Sequence, residues 1–229
     1  MLVLNHPPVN ALTLPILAQL EATFDGLAKD DRVKVIIVTG VGRVFIAGAD
    51  IKAIAAIASS REGKEIALRG QAVLNTIEAC EKPVIAATNG TCLGGGLELA
   101  LCCHICLAAE GARLGQPEIN LGIIPGFGGT QRLTRLLGPS KALELILTGD
   151  VISASEAKTL GLVSQVVSAD DLQRHVQGLA RRIASKGQLA VRAALQAVRG
   201  GLEVGEGSED GEHSDDQHQR HRRRSAWHR

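Results

Sequence analysis

The amino-acid sequence predicts an α/β fold, and three observations carry that expectation. Short β-branched runs alternate with longer stretches of helical periodicity. Glycine, or an Asn-Gly pair, closes several of the runs. No internal repeat of fixed period interrupts the alternation. In chain order, residues 14–28 place Leu17, Leu20, Phe24 and Leu27 on one helical stripe. Residues 33–39 (VKVIIVT) read as a buried strand that Gly40 and Gly42 stop. A loop follows through Ala47, Gly48, Ala49 and Asp50. Residues 64–78 read as a helix, and residues 83–88 as a second buried strand closed by Asn89 and Gly90. Residues 95–103 look like the first turns of a helix after a glycine-rich bend, and residues 105–109 like a further strand. Residues 126–137 begin in glycines and become helical. Helices are expected over 141–148 and 154–160, the latter capped by Ser153 and stopped by Gly161. A strand over 163–167 and helices over 169–183 and 189–198 complete the pattern.

With 229 residues the chain can build one domain with a sizeable core, or two small ones. Aromatic residues make up 2%, which excludes modules that stack nucleic-acid bases on rings. Lys and Arg number 25 against 24 Asp and Glu, so no global field steers a polyanion, and an anionic ligand needs a local site. No apolar run reaches membrane-spanning length, and residues 1–8 lack a basic segment followed by an apolar one. A cytoplasmic protein with neither nucleic-acid nor membrane partner is expected. Cys80, Cys92, Cys102, Cys103 and Cys106 mostly sit in apolar surroundings and read as buried free thiols of a reducing compartment. Residues 205–229 hold only Ala226 and Trp227 as apolar residues, too little to offset ordering entropy. The expected organisation is one domain over residues 1–204 and a disordered hydrophilic tail over 205–229.

Three segments can carry chemistry. Gly94-Gly95-Gly96-Leu97-Glu98 lies between a strand and a helix. Backbone can approach a ligand closely there, and a helix N-terminus offers free N–H groups to a developing oxyanion. The glycines could equally serve a tight turn alone. Neither a P-loop nor a dinucleotide fingerprint is present. In Gly115-Gln116-Pro117-Glu118, Pro117 biases Gln116 towards extended geometry and holds Glu118 on a stiff segment. The glycine-rich stretch 122–129 follows, as expected where backbone lies close to a ligand or a tight core. Glu98 and Glu118 can form an acid/base pair, or can be two surface carboxylates. Ala47-Gly48-Ala49-Asp50-Ile51-Lys52 again exposes backbone N–H groups, and Lys52 could meet a phosphate. Cys103-His104-Ile105-Cys106 lacks the second ligand pair that a zinc site needs, so it reads as buried structure and no metal is expected.

Taken in order, five stretches resemble the enoyl-CoA hydratase/isomerase (crotonase) superfamily, most of all its short single-function bacterial hydratases. They are HPPVNAL (6–12), FIAGADIKAI (45–54), KPVIAATNGTCLGGGLELAL (82–101), LGQPEINLGIIPGFGGTQRLTRLLG (114–138) and LTGDVISASEAKTLGLVSQVV (147–167). The resemblance implies a spiral of ββα turns and an acyl-CoA thioester substrate. It implies that the N–H groups of Ala49 and Gly95 hold the thioester carbonyl, and that Glu98 and Glu118 hold and activate water and move the α-proton. Many isomerases of the family keep only the carboxylate at the position of Glu118. Ala47, Ala49, Asp50, Ile51, Lys52 and Gly95 fall where the family contacts substrate. No metal or redox cofactor is implied, coenzyme A being part of the substrate. The family assembles as a homotrimer or hexamer. Here the resemblance is read only to residue 201, so the helical C-terminal part is expected to be truncated and the assembly weakened. The alternatives are an isomerase with Glu118 as single base, and an impaired acyl-CoA-binding member of the family.

Overall fold

The computed structural model describes residues 1–48, 50 and 55–204, with the side chains of 202–204 left aside. Ala49, Ile51, Lys52 and the expected tail over 205–229 therefore lie outside the described residues. The chain starts with β1 (Leu2–Leu4), α1 (Leu14–Lys29), β2 (Ile36–Gly40), β3 (Val44–Ile46) and α2 (Ser60–Glu78). Next come β4 (Val84–Thr88), β5 (Thr91–Leu93), α3 (Gly95–Cys102), β6 (Ile105–Ala109), β7 (Arg113–Gly115) and a 3-10 helix (Pro117–Leu121). Then follow α4 (Gly129–Leu137), α5 (Pro139–Thr148), β8 (Val151–Ser153), α6 (Ala154–Thr159), β9 (Gln165–Val167), α7 (Leu172–Ala184) and α8 (Gln188–Val204).

Two sheets result. One has the order β1-β2-β4-β6-β9 and is parallel throughout. The other has the order β3-β5-β7-β8, with only β8 antiparallel to its neighbour. Three successive strand pairs, β2-β3, β4-β5 and β6-β7, each send their first strand to the first sheet and their second to the other. A helix follows each pair, directly or after the 3-10 segment. This is a spiral of ββα turns.

Every residue of β2 and β4 is buried, because both faces of the parallel sheet are covered. Side-chain alternation divides the strands between two cores. Ile36, Val38, Val84 and Ala86 face the larger one, which also takes Leu17, Leu20 and Phe24 of α1. Ile37, Ile85 and Leu107 turn the other way, against Leu172 and Val176 of α7. Each Val, Leu, Ile or Phe side chain among them contributes on the order of 1.5–3 kcal/mol by leaving water. By contact the chain divides into Met1–Arg192 and Ala193–Arg229. Of the second unit, the described part is the end of α8.

The sequence reading differs from the structure at element ends and in the short strands. Helix α2 starts at Ser60, four residues before the expected position. Ser59 caps it by accepting from the Glu62 N–H at 3.2 Å, and Glu62 reaches back to the Ala58 N–H at 2.9 Å. Strand β2 forms only from Ile36, since Val33 is still in a turn that donates to the Asp30 carbonyl. Strand β1 and the four strands of the second sheet went unassigned.

All five cysteines are free, and Cys92, Cys102 and Cys103 are buried. His104 accepts the Val84 N–H at Nδ1 (2.9 Å), a structural task at the head of β4. Among the described residues no group of three His, Cys, Asp or Glu side chains could hold a metal ion. No described helix is long and apolar enough to cross a membrane.

Candidate active site

The turn between β5 and α3 is built on Gly94, whose φ of +51° is a conformation that side chains resist. Its N–H donates to the Gly115 carbonyl at 2.9 Å, and its carbonyl accepts the first helical bond, from Glu98, at 3.0 Å. A Cβ at this position would lie 2.9 Å from Glu118 Oε1, so the missing side chain makes room for that carboxylate. The same Cβ would lie 3.6 Å from the Gly48 Cα, which places the 47–48 loop beside the start of α3. Gly95 is the first residue of α3, so no carbonyl of its own helix can accept its N–H. The Ala47 N–H is already spent on the Val9 carbonyl at 3.1 Å, and the Gly48 carbonyl on the Leu12 N–H at 2.9 Å. Asp50 is partly buried.

Glu98 follows one turn into α3 and is only 1% exposed. Its Oε1 accepts two backbone N–H groups, from Phe127 at 2.8 Å and Gly129 at 2.7 Å. Phe127 lies in the glycine-rich loop before α4, and Gly129 is the first residue of that helix. Close approach is possible because residue 129 lacks a side chain: a Cβ there would sit 2.9 Å from Glu98 Oε1 and 2.6 Å from the Gln116 amide. Glu118 stands on the 3-10 helix that Pro117 opens. With its amide turned to donate, the fully buried Gln116 reaches both Glu118 oxygens, at 2.9 and 3.0 Å. Glu98, Gln116 and Glu118 thus form one cluster around Gly94 and Gly129.

Burial dominates the electrostatics. It raises the Glu98 carboxyl to about 7, against the opposing pull of the Gly129 and Phe127 N–H groups and the Arg132 guanidinium. Burial also raises Glu118 to about 7, and the neighbouring negative charge of Glu98 adds to the effect. Two carboxyls in this state can hold one proton between them near neutral pH, with one ready to take a proton and the other ready to give one.

A stability consequence follows. The folded Glu98 titrates near 7 rather than 4.5, so between those values the folded state binds more protons than the unfolded chain. Stability therefore falls as pH rises through that window, and the loss is complete above about 7. Glu98→Gln removes the penalty. We expect this variant to exceed its parent in stability by on the order of 2–3 kcal/mol at pH 8, with little difference at pH 4.5. Denaturant unfolding at the two pH values measures this. An equal difference at both would show that ionisation of Glu98 is not the cause.

The structure brings together Glu98, Glu118 and Gly95 among the residues singled out from sequence, with Ala47 on the adjacent loop. Ala49, Ile51 and Lys52 lie outside the described residues. Sequence reasoning missed Gln116 as a partner of Glu118, the N–H groups of Phe127 and Gly129, and the buried Arg132. Only Arg132 left a trace: it shares one face of α4 with the buried Gly129 and Leu133, at helical spacing.

A helix N-terminus whose first N–H has no acceptor within its own helix, beside two raised carboxyls, is an arrangement suited to acid/base work on a polarised carbonyl compound. The sequence matches the model of the enoyl-CoA hydratase/isomerase family over residues 1–224, beyond the point to which the motif resemblance was read. It is 48% identical over 205 residues to a crotonyl-CoA hydratase of Syntrophomonas wolfei, covering 89% of this chain and 78% of that one. It is 42% identical over 202 residues to a short-chain-enoyl-CoA hydratase of Clostridium acetobutylicum, covering 87% and 77%. The crystal structure of an enoyl-CoA hydratase from Bacillus anthracis aligns with a TM-score of 0.84 at 42% identity, over 88% of this chain and 79% of that chain. The chain belongs to the enoyl-CoA hydratase/isomerase family.

Proposed function

We propose that this protein is an enoyl-CoA hydratase, adding water reversibly to a trans-2-enoyl-CoA to give the 3-hydroxyacyl-CoA. The observation that carries the reading is the pair of carboxyls that burial raises, Glu98 of α3 and Glu118 of the neighbouring 3-10 helix, where many isomerases of the resembled family keep only one. Conjugation lets the thioester oxygen draw charge from the double bond, and N–H donors at that oxygen stabilise the enolate that forms. Gly95 is assigned one donor and Ala49 the other. Water oxygen bonds to C3 while one carboxylate takes its proton. The other carboxyl delivers a proton to C2. One hydrogen and one hydroxyl are gained in all, with no change of oxidation state, so the reaction calls for no redox cofactor. Donors at the carbonyl do the work that a metal would otherwise do. Ala47, Asp50, Ile51 and Lys52 are assigned to the coenzyme A portion of the substrate.

The test is turnover of crotonyl-CoA, followed by loss of the conjugated-enoyl absorbance. We expect kcat/KM to be bell-shaped in pH with its maximum near neutrality. On the acid side both carboxyls are protonated and no base remains. On the alkaline side both are ionised and no acid remains. Tight crotonyl-CoA binding without turnover would instead identify an acyl-CoA-binding protein, and double-bond migration without hydration an isomerase.

A further inference from the structure

The segment that holds Glu98 is itself held by side chains, Arg132 foremost. Arg132 of α4 is 7% exposed, unusual for a guanidinium. Its Nη1 donates to the Phe127 carbonyl at 2.8 Å. Its Nε donates to Glu78 Oε2 at 2.9 Å and its Nη2 to Asn75 Oδ1 at 2.6 Å. Nη2 also lies 2.8 Å from Glu78 Oε2. Asn75 and Glu78 are on α2, and from the same helix Gln71 donates to the Gly126 carbonyl at 2.8 Å. The loop is therefore tied to α2 at Gly126 and Phe127, while the N–H groups of Phe127 and of Gly129, the first residue of α4, converge on Glu98 Oε1.

We infer that Arg132 is a positioning residue for Glu98: by clamping the Phe127 carbonyl to α2, it fixes the two N–H donors that orient the carboxylate and set its acidity. The planar fork of Arg suits this task, since one group must reach a carbonyl on one side and two acceptors on the other. Among the described residues, the charged groups facing Glu98 are Glu118 from the 3-10 helix and Arg132 from α4, with Glu78 of α2 behind the guanidinium. Loss of Arg132 removes the one cation of this set and loosens both donors, and each change disfavours the ionised form. The effect on turnover rests on Glu98 being a reacting group, as proposed above. The effect on Glu98 titration does not.

The experiment compares Arg132→Gln and Arg132→Lys with the parent, using the full chain. Glu98 is titrated by carboxyl-carbon NMR, assigned by difference against Glu98→Gln, and crotonyl-CoA hydration is measured alongside thermal unfolding. In Arg132→Gln we expect the Glu98 midpoint to move up by about one pH unit or more. We expect kcat to fall by about tenfold to a hundredfold with KM within about twofold. Arg132→Lys keeps the charge without the fork and should lie between. A purely structural role would lower the unfolding temperature and leave the Glu98 midpoint in place, and an Arg132 with no role would change neither. A folded Arg132→Gln protein with unchanged midpoint and kcat overturns the inference. If that variant does not fold, Asn75→Ala and Glu78→Gln each remove one anchor, and both should shift the midpoint the same way by less. No shift in either overturns it. Absence of turnover in the parent would sink the hydratase reading and leave the titration to decide this one.

Discussion

Glu118→Gln is expected to lower kcat for crotonyl-CoA hydration by about a thousandfold, with KM changed by less than about fivefold. General acid–base groups contribute roughly a hundredfold to ten-thousandfold, and an amide of the same shape can neither take nor give the proton. The substitution keeps volume, and Gln116 retains an oxygen to donate to, so the 3-10 helix need not move. Removing a charge from a partly buried site should not destabilise the fold. Steady-state kinetics with thermal unfolding as a control checks this. A variant keeping more than a tenth of parental kcat would remove Glu118 from the chemistry.

Gly95→Pro should cost on the order of a hundredfold to a thousandfold in kcat, the range for losing one backbone donor to an oxyanion. Proline is tolerated at the first position of a helix, so α3 can still form. Gly95→Ala is the control, because it keeps the N–H. Its Cβ would meet the Leu12 Cδ1 at 3.2 Å and the Phe127 ring at 3.5 Å, contacts that a small shift of the Leu12 side chain relieves. We expect less than a tenfold loss in the alanine variant. Equal losses in both would point to crowding rather than to the N–H.

The parts of the fold legible in the sequence were those with a long enough pattern. The stripe of Leu17, Leu20 and Phe24 shows α1 because it repeats over two turns, and the run at residues 84–88 shows β4 because every residue is apolar or small. Strands β3, β5, β7 and β8 are three residues each, too short for an alternation to register. Their pairing partners come from far along the chain, as Thr91 with Arg113. Glu98 and Glu118 stood out because glycine and proline flank them, and the family resemblance selected them from other carboxylates. What holds them was hidden. Backbone donors such as the Phe127 and Gly129 N–H groups carry no side-chain signature. An arginine such as Arg132 reads as solvated until burial is seen.

The central claim is that Glu98 and Glu118 act as one unit on one water. Kinetics of Glu98→Gln, Glu118→Gln and the double variant test it most directly. Groups that serve a single step fail together, so removing the second should cost little once the first is gone. We expect each single variant to lose most of its kcat and the double variant to fall within about tenfold of the slower single one. Losses that multiply, with the double variant slower than either single one by a further thousandfold, would mean that the two carboxylates act independently and would contradict a shared water.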